Sequence, residues 1–135
     1  MTSDPAPRRV VLMWRALPDP CFIEWVSASV LIGYGLFLFF VPDAFQMQIY
    51  FVLNGLMPWW MWVLSACSIG LFQIAMIHSH RQVGRMVAAL LSGVMWSILT
   101  VGLYQGNSKL PGITAYAGYV AMNLLTMALL FRRIP

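Results

Sequence analysis

The chain has 135 residues, of which 61% are hydrophobic and only 9% charged, with a formal net charge of +4 and a mean hydropathy of +0.78. An average soluble domain carries about 25% charged residues. The composition therefore excludes an ordinary water-soluble globule, and the length leaves no polar stretch for a separate soluble catalytic or nucleic-acid-binding domain.

Residues 1–20 read as a juxtamembrane segment on the cytoplasmic side. The apolar run 10–14, flanked by Arg8, Arg9 and Arg15, is shorter than the core of a secretory signal and ends without a small-residue cleavage site. It suits a short helix on the inner membrane surface, with Trp14 among the headgroups and the arginines against anionic lipid. Pro18-Asp19-Pro20 then breaks that helix and turns the chain into the bilayer.

Residues 21–135 are expected to form one transmembrane domain. A first span covers 21–41, which at about 1.5 Å per residue matches a hydrocarbon core of roughly 30 Å. Residues 44–57 are apolar but interrupted by Gln46, Gln48, Asn54 and Gly55, and are expected to form an interfacial or partly re-entrant helix. A second span covers 58–77. It opens on Pro58 and the cluster Trp59, Trp60 and Trp62, residues that anchor a helix at an outer interface, as Trp25 does at the inner one. A short loop over 78–85 makes the second and third spans antiparallel neighbours. A third span covers 86–104, a polar turn 105–112, and a fourth span 113–131.

The basic residues orient these spans. Arg8, Arg9, Arg15, Arg81, Arg85, Arg132 and Arg133 fall before the first span, between the second and third, or after the fourth; Lys109 alone falls on the other side. By the positive-inside rule both termini are cytoplasmic. The predicted fold is all-α: a polytopic membrane protein, with four transmembrane helices in an antiparallel bundle and a short interfacial helix between the first and second.

Small residues four apart recur in every span: Ser29 and Gly33, Ala66 and Gly70, Gly93 and Ser97, Ala117 and Ala121. Close packing holds helices together in lipid, so these pairs are the expected contact faces, within the bundle or towards a second copy or membrane-complex partner. Glu24 is the one carboxylate at a span, and an intramembrane acid is the default functional suspect. Its position also suits a helix N-terminus, where the macrodipole favours a negative charge. The topology places Gln73 and Arg85 in the same half of the bundle as Glu24, and with Asn123 they form a candidate polar cluster.

No cofactor or metal site is expected. His78 and His80 are two apart and point to different faces of a helix, whereas a helical metal pair stacks at four-residue spacing. Cys21 and Cys67 read as buried thiols. There is no phosphate loop, CxxC, HExxH or GxSxG pattern, and the chain is not expected to be an enzyme.

The segment Trp14-Arg15-Ala16-Leu17-Pro18-Asp19-Pro20-Cys21-Phe22-Ile23-Glu24-Trp25, with the four-span pattern and both ends inside, resembles small four-helix inner-membrane proteins of bacterial and prophage genomes. That resemblance implies a small accessory or phage-encoded membrane protein. Three functions fit the sequence. One is a non-catalytic bundle that self-associates or joins a larger membrane assembly. Another is a holin-like lysis protein, and the last is a small proton-coupled exporter that uses Glu24.

Overall fold

The computed structural model describes residues 19–106, 109 and 112–132. The expected surface helix around 10–14, with Trp14, and most of the loop 107–111 lie outside the described residues. Among them the fold is all-α, with four helices long and apolar enough to cross a bilayer.

Helix α1 spans Pro20–Phe40. Its start is fixed by chemistry that the sequence displays: the Asp19 side chain accepts from the Cys21 backbone N–H at 3.1 Å, and Pro20 occupies the first turn, where its missing N–H costs nothing. Pro42 follows the C-cap Val41 and cannot continue the ladder. Two short 3-10 turns, Pro42–Gln46 and Gln48–Tyr50, lead into the six-residue helix α2, Phe51–Leu56. The interrupted segment is thus a chain of turns with one short helix, and it is much less regular than the single helix expected over 44–57.

Helix α3 spans Trp59–Ser79, α4 spans Gln82–Gly106 and α5 spans Gly112–Phe131. The sequence-based bounds of the spans agree except at one place. The loop expected over 78–85 shrinks to His80 and Arg81. His80 takes a left-handed backbone conformation, φ 53°, and its N–H returns to the Ile77 carbonyl. This is the geometry that ends a helix in one residue.

The four long helices run alternately up and down. α1 packs most extensively on α3, and α4 on α5; α3 with α4 and α5 with α1 close the ring. Trp25 meets His78 edge to face at 5.7 Å, and Gln82 Nε2 donates to the Leu130 carbonyl at 2.5 Å. These contacts bring the start of α1, the end of α3, the start of α4 and the end of α5 to one end of the bundle. Arg81, Arg85 and Arg132 make this the arginine end, while Lys109 lies beyond the opposite end of α4.

The surface reverses the pattern of a soluble protein. Phe37, Phe40, Leu64, Leu71, Val101 and Leu124 face outward, whereas Glu24, Ser27, Gln73, Ser92, Asn123 and Thr126 are buried. A soluble protein rarely shows so much contiguous apolar surface. Away from the arginine end the core is aromatic. Trp96 stacks on Tyr116 and Tyr119 at ring-centroid distances of 5.5 and 4.8 Å, and Phe45 stacks on Tyr50 at 5.1 Å.

The segment between α1 and α3 seals this aromatic end. Trp62 Nε1 donates to the carbonyls of Leu53 and Met57, each at 3.1 Å. Gly102 and Gly106 of α4 let the segment close in, because a Cβ at Gly102 would strike the Leu53 side chain and one at Gly106 the Ile49 carbonyl.

Candidate functional site

The buried polar side chains gather in the half of the bundle nearest the arginine end. Glu24 lies one turn inside α1 and is 1% exposed. Arg85, one turn inside α4, reaches it from across the ring: Nε donates to Oε1 at 3.2 Å and to Oε2 at 2.9 Å, and Nη2 to Oε2 at 2.5 Å. The pair satisfies both carboxylate oxygens and cancels two charges that separately would be costly in a low-dielectric core.

One turn deeper, Ser27 of α1 meets Ser92 of α4 and Asn123 of α5. The two hydroxyl oxygens are 3.1 Å apart. Asn123 Nδ2 donates to Ser27 Oγ at 2.9 Å and to the Tyr119 carbonyl at 2.8 Å. Polar groups from three helices therefore satisfy one another across the core, the interhelical bonding that hydrocarbon favours.

Of the expected polar cluster, Glu24 and Arg85 are brought into direct contact, and Asn123 joins a separate set with Ser27 and Ser92. Gln73 is 1% exposed on the inner face of α3, and neither Oε1 nor Nε2 has a hydrogen-bond partner. Thr126 Oγ1, Tyr34 OH and Trp96 Nε1 share that condition. Sequence reasoning missed Ser27, Ser92 and Thr126. Their signal was helical spacing: Ser27 and Thr126 follow Glu24 and Asn123 by three residues, and Ser92 follows Arg85 by seven, so each shares a face with a residue already singled out.

The small-residue pairs divide. Ala66 and Gly70 are buried against α1 and Gly93 against α5, where an added Cβ would stand 3.4 Å from Asn123 Cβ. Ser29 and Gly33 are exposed, as are Ala117 and Ala121, and a Cβ at Gly33 would meet nothing. Ser97 is half-buried and returns its hydroxyl to the Gly93 carbonyl at 2.8 Å. Among the tryptophans, Trp25 and Trp60 face outward and Trp59 is half-buried. Trp62 instead lies in the core, 1% exposed, because its indole N–H finds the two carbonyls of the sealing segment.

His78 is exposed and its Nδ1 lies 3.1 Å from the Ile74 carbonyl. Cys21 and Cys67 are free thiols, each only partly buried. Among the described residues, no three His, Cys, Asp or Glu side chains come together as a metal-binding group.

The architecture defines the class: a small, all-helical, multi-pass membrane protein with a polar half and an aromatic half inside one bundle. Comparison with protein-family models, curated proteins and solved structures gives no match.

Proposed function

We propose that this chain is a bacterial inner-membrane protein with both termini in the cytoplasm, acting without catalysis as a self-associating bundle or as an accessory subunit of a membrane assembly. The observation that carries this reading is a recess on the outside of the bundle. Ser97, Thr100, Val101, Ala117 and Val120 line it between α4 and α5, and Gly118 and Ala121 continue the exposed small-residue face along α5. Only 17% of the apolar window of α5 is buried, against 50% for α4. A helix whose outward face is this small allows a second helix to approach closely, which is how association proceeds without a hydrophobic driving force.

The exporter reading draws no comparable support. It needs a carboxylate free to exchange a proton with its cargo, and both oxygens of Glu24 are engaged by Arg85. For the orientation, the support is the placement of Arg81, Arg85 and Arg132 at one end and Lys109 beyond the other.

Light scattering in mild detergent tests the association. The native chain is expected as one oligomeric species, and Ala117→Leu or Gly118→Leu is expected to shift it to monomer without lowering its helix content. A native monomer overturns the self-association and leaves only the accessory-subunit role. Orientation is tested in cells on a background lacking Cys21 and Cys67. Lys109→Cys is expected to react with an impermeant thiol reagent from outside, and His80→Cys only after permeabilisation.

A further inference from the structure

The four long helices each contribute one polar side chain to a single level of the core. Ser27, Ser92 and Asn123 are joined by hydrogen bonds. Gln73 is placed level with them by the packing of α3 on α1: a Cβ at Gly70 would meet Ile32 Cγ1 at 2.6 Å and the Ala28 carbonyl oxygen at 3.0 Å, so Gly70 lies between those two residues, and the antiparallel register carries Gln73, three residues on, to Ser27. Ala66, Gly70, Gln73 and Ile77 form the buried stripe of α3, so the Gln73 amide points into the bundle. Thr126, one turn from Asn123 towards the arginine end, is fully buried as well.

A buried amide and a buried hydroxyl without partners cost several times what an ordinary hydrogen bond contributes. Such groups in a native core call for a ligand, most often an internal water with two to four polar neighbours. Ser27 lies seven residues from Pro20, about 10 Å below the arginine end. Between them stands Arg85, whose side chain is 15% exposed.

We propose that the Ser27–Gln73–Ser92–Asn123 level is a binding site for internal water, reached from the arginine end past the Glu24–Arg85 pair and the Thr126 hydroxyl, and held by the Gln73 amide. The chemistry selects water over an ion. Gln73 offers donors and an acceptor together, as Thr126 does, and water is the small molecule that answers both. A cation would have to shed its hydration among neutral oxygens close to the Arg85 guanidinium, and Glu24 is already neutralised. An anion would find no unpaired positive charge. On the far side, the rings stacked on Trp96 close the core, so the site is blind.

The test uses the full chain with 15N-labelled glutamine side chains, in phosphatidylcholine–phosphatidylglycerol bilayers, by water-edited solid-state NMR. Gln73→Met identifies the Gln73 signal by removing it. Magnetisation from water is expected to reach the Gln73 side-chain amide within about twofold of the rate at exposed Gln48. Absence of transfer overturns the proposal. A change in the Gln73 signal on replacing Na+ by choline overturns it in favour of a cation site. Thermal unfolding in detergent supplies the second readout: Gln73→Met is expected to lower the midpoint by about 3 °C or more. A raised midpoint means that the native amide is dry and unsatisfied.

Discussion

Arg85 holds Glu24 through both carboxylate oxygens, joining the first turns of two parallel helices at one end of the bundle. Removing one partner strands a buried charge, whereas removing both strands none. Arg85→Met is therefore expected to destabilise the bundle by about 3 kcal/mol, and Glu24→Met with Arg85→Met by much less. Unfolding of the single and double variants in mixed micelles checks the pair, and simple additivity contradicts the coupling.

The two glycines of the outer and inner faces should respond in opposite ways. At Gly70 a Cβ would stand 2.6 Å from Ile32 Cγ1 and 3.0 Å from the Ala28 carbonyl, so Gly70→Ala forces α1 and α3 apart at a cost of about 1–3 kcal/mol. At Gly33 nothing lies within 4 Å, and Gly33→Ala is expected to leave the unfolding of the monomer unchanged or raise it by up to about 1 kcal/mol. Parallel unfolding curves measure both.

Trp62 ties the sealing segment to α3 by one N–H shared between two carbonyls. Trp62→Phe keeps most of the ring and removes the donor. The expected loss is about 1–3 kcal/mol because the Met57 carbonyl loses this donor and the Leu53 carbonyl keeps only the Met57 N–H, with faster amide exchange confined to 48–57. Exchange measured by mass spectrometry separates that local loosening from global unfolding.

Asn123 joins α5 to α1 through Ser27. Asn123→Leu removes the interhelical bond while filling the space, and a loss of about 0.6–1.7 kcal/mol is expected, as for other hydrogen bonds between helices in lipid. Because Ser27 also meets Ser92, the double variant with Ser27→Ala should cost more than Asn123→Leu alone but less than the sum of the two single losses; a fully additive loss would mean that the two side chains do not cooperate.

The number of long helices and nearly all their ends were legible in the sequence, because each rests on local chemistry: Asp19 before Pro20, Pro42 after the first span, Pro58 before Trp59. The polar set was half legible. Glu24 and Arg85 announced themselves as charges beside apolar runs, but Ser27, Ser92 and Thr126 are small and common in membrane helices, and their importance comes from which neighbours they face. Trp62 misled for a related reason. Its position in the chain is that of an interface anchor, and only the fold-back of 42–57 puts carbonyls within its reach. The brief turn at His80 was hidden because a left-handed histidine carries no signal comparable to glycine.

That turn has a mechanical consequence. With only His80 and Arg81 between them, α3 and α4 have no slack to slide or tilt apart, so they must enter, lean and shift depth as one hairpin. Adjustment to a thicker or thinner bilayer therefore falls chiefly to α5, the least buried of the four.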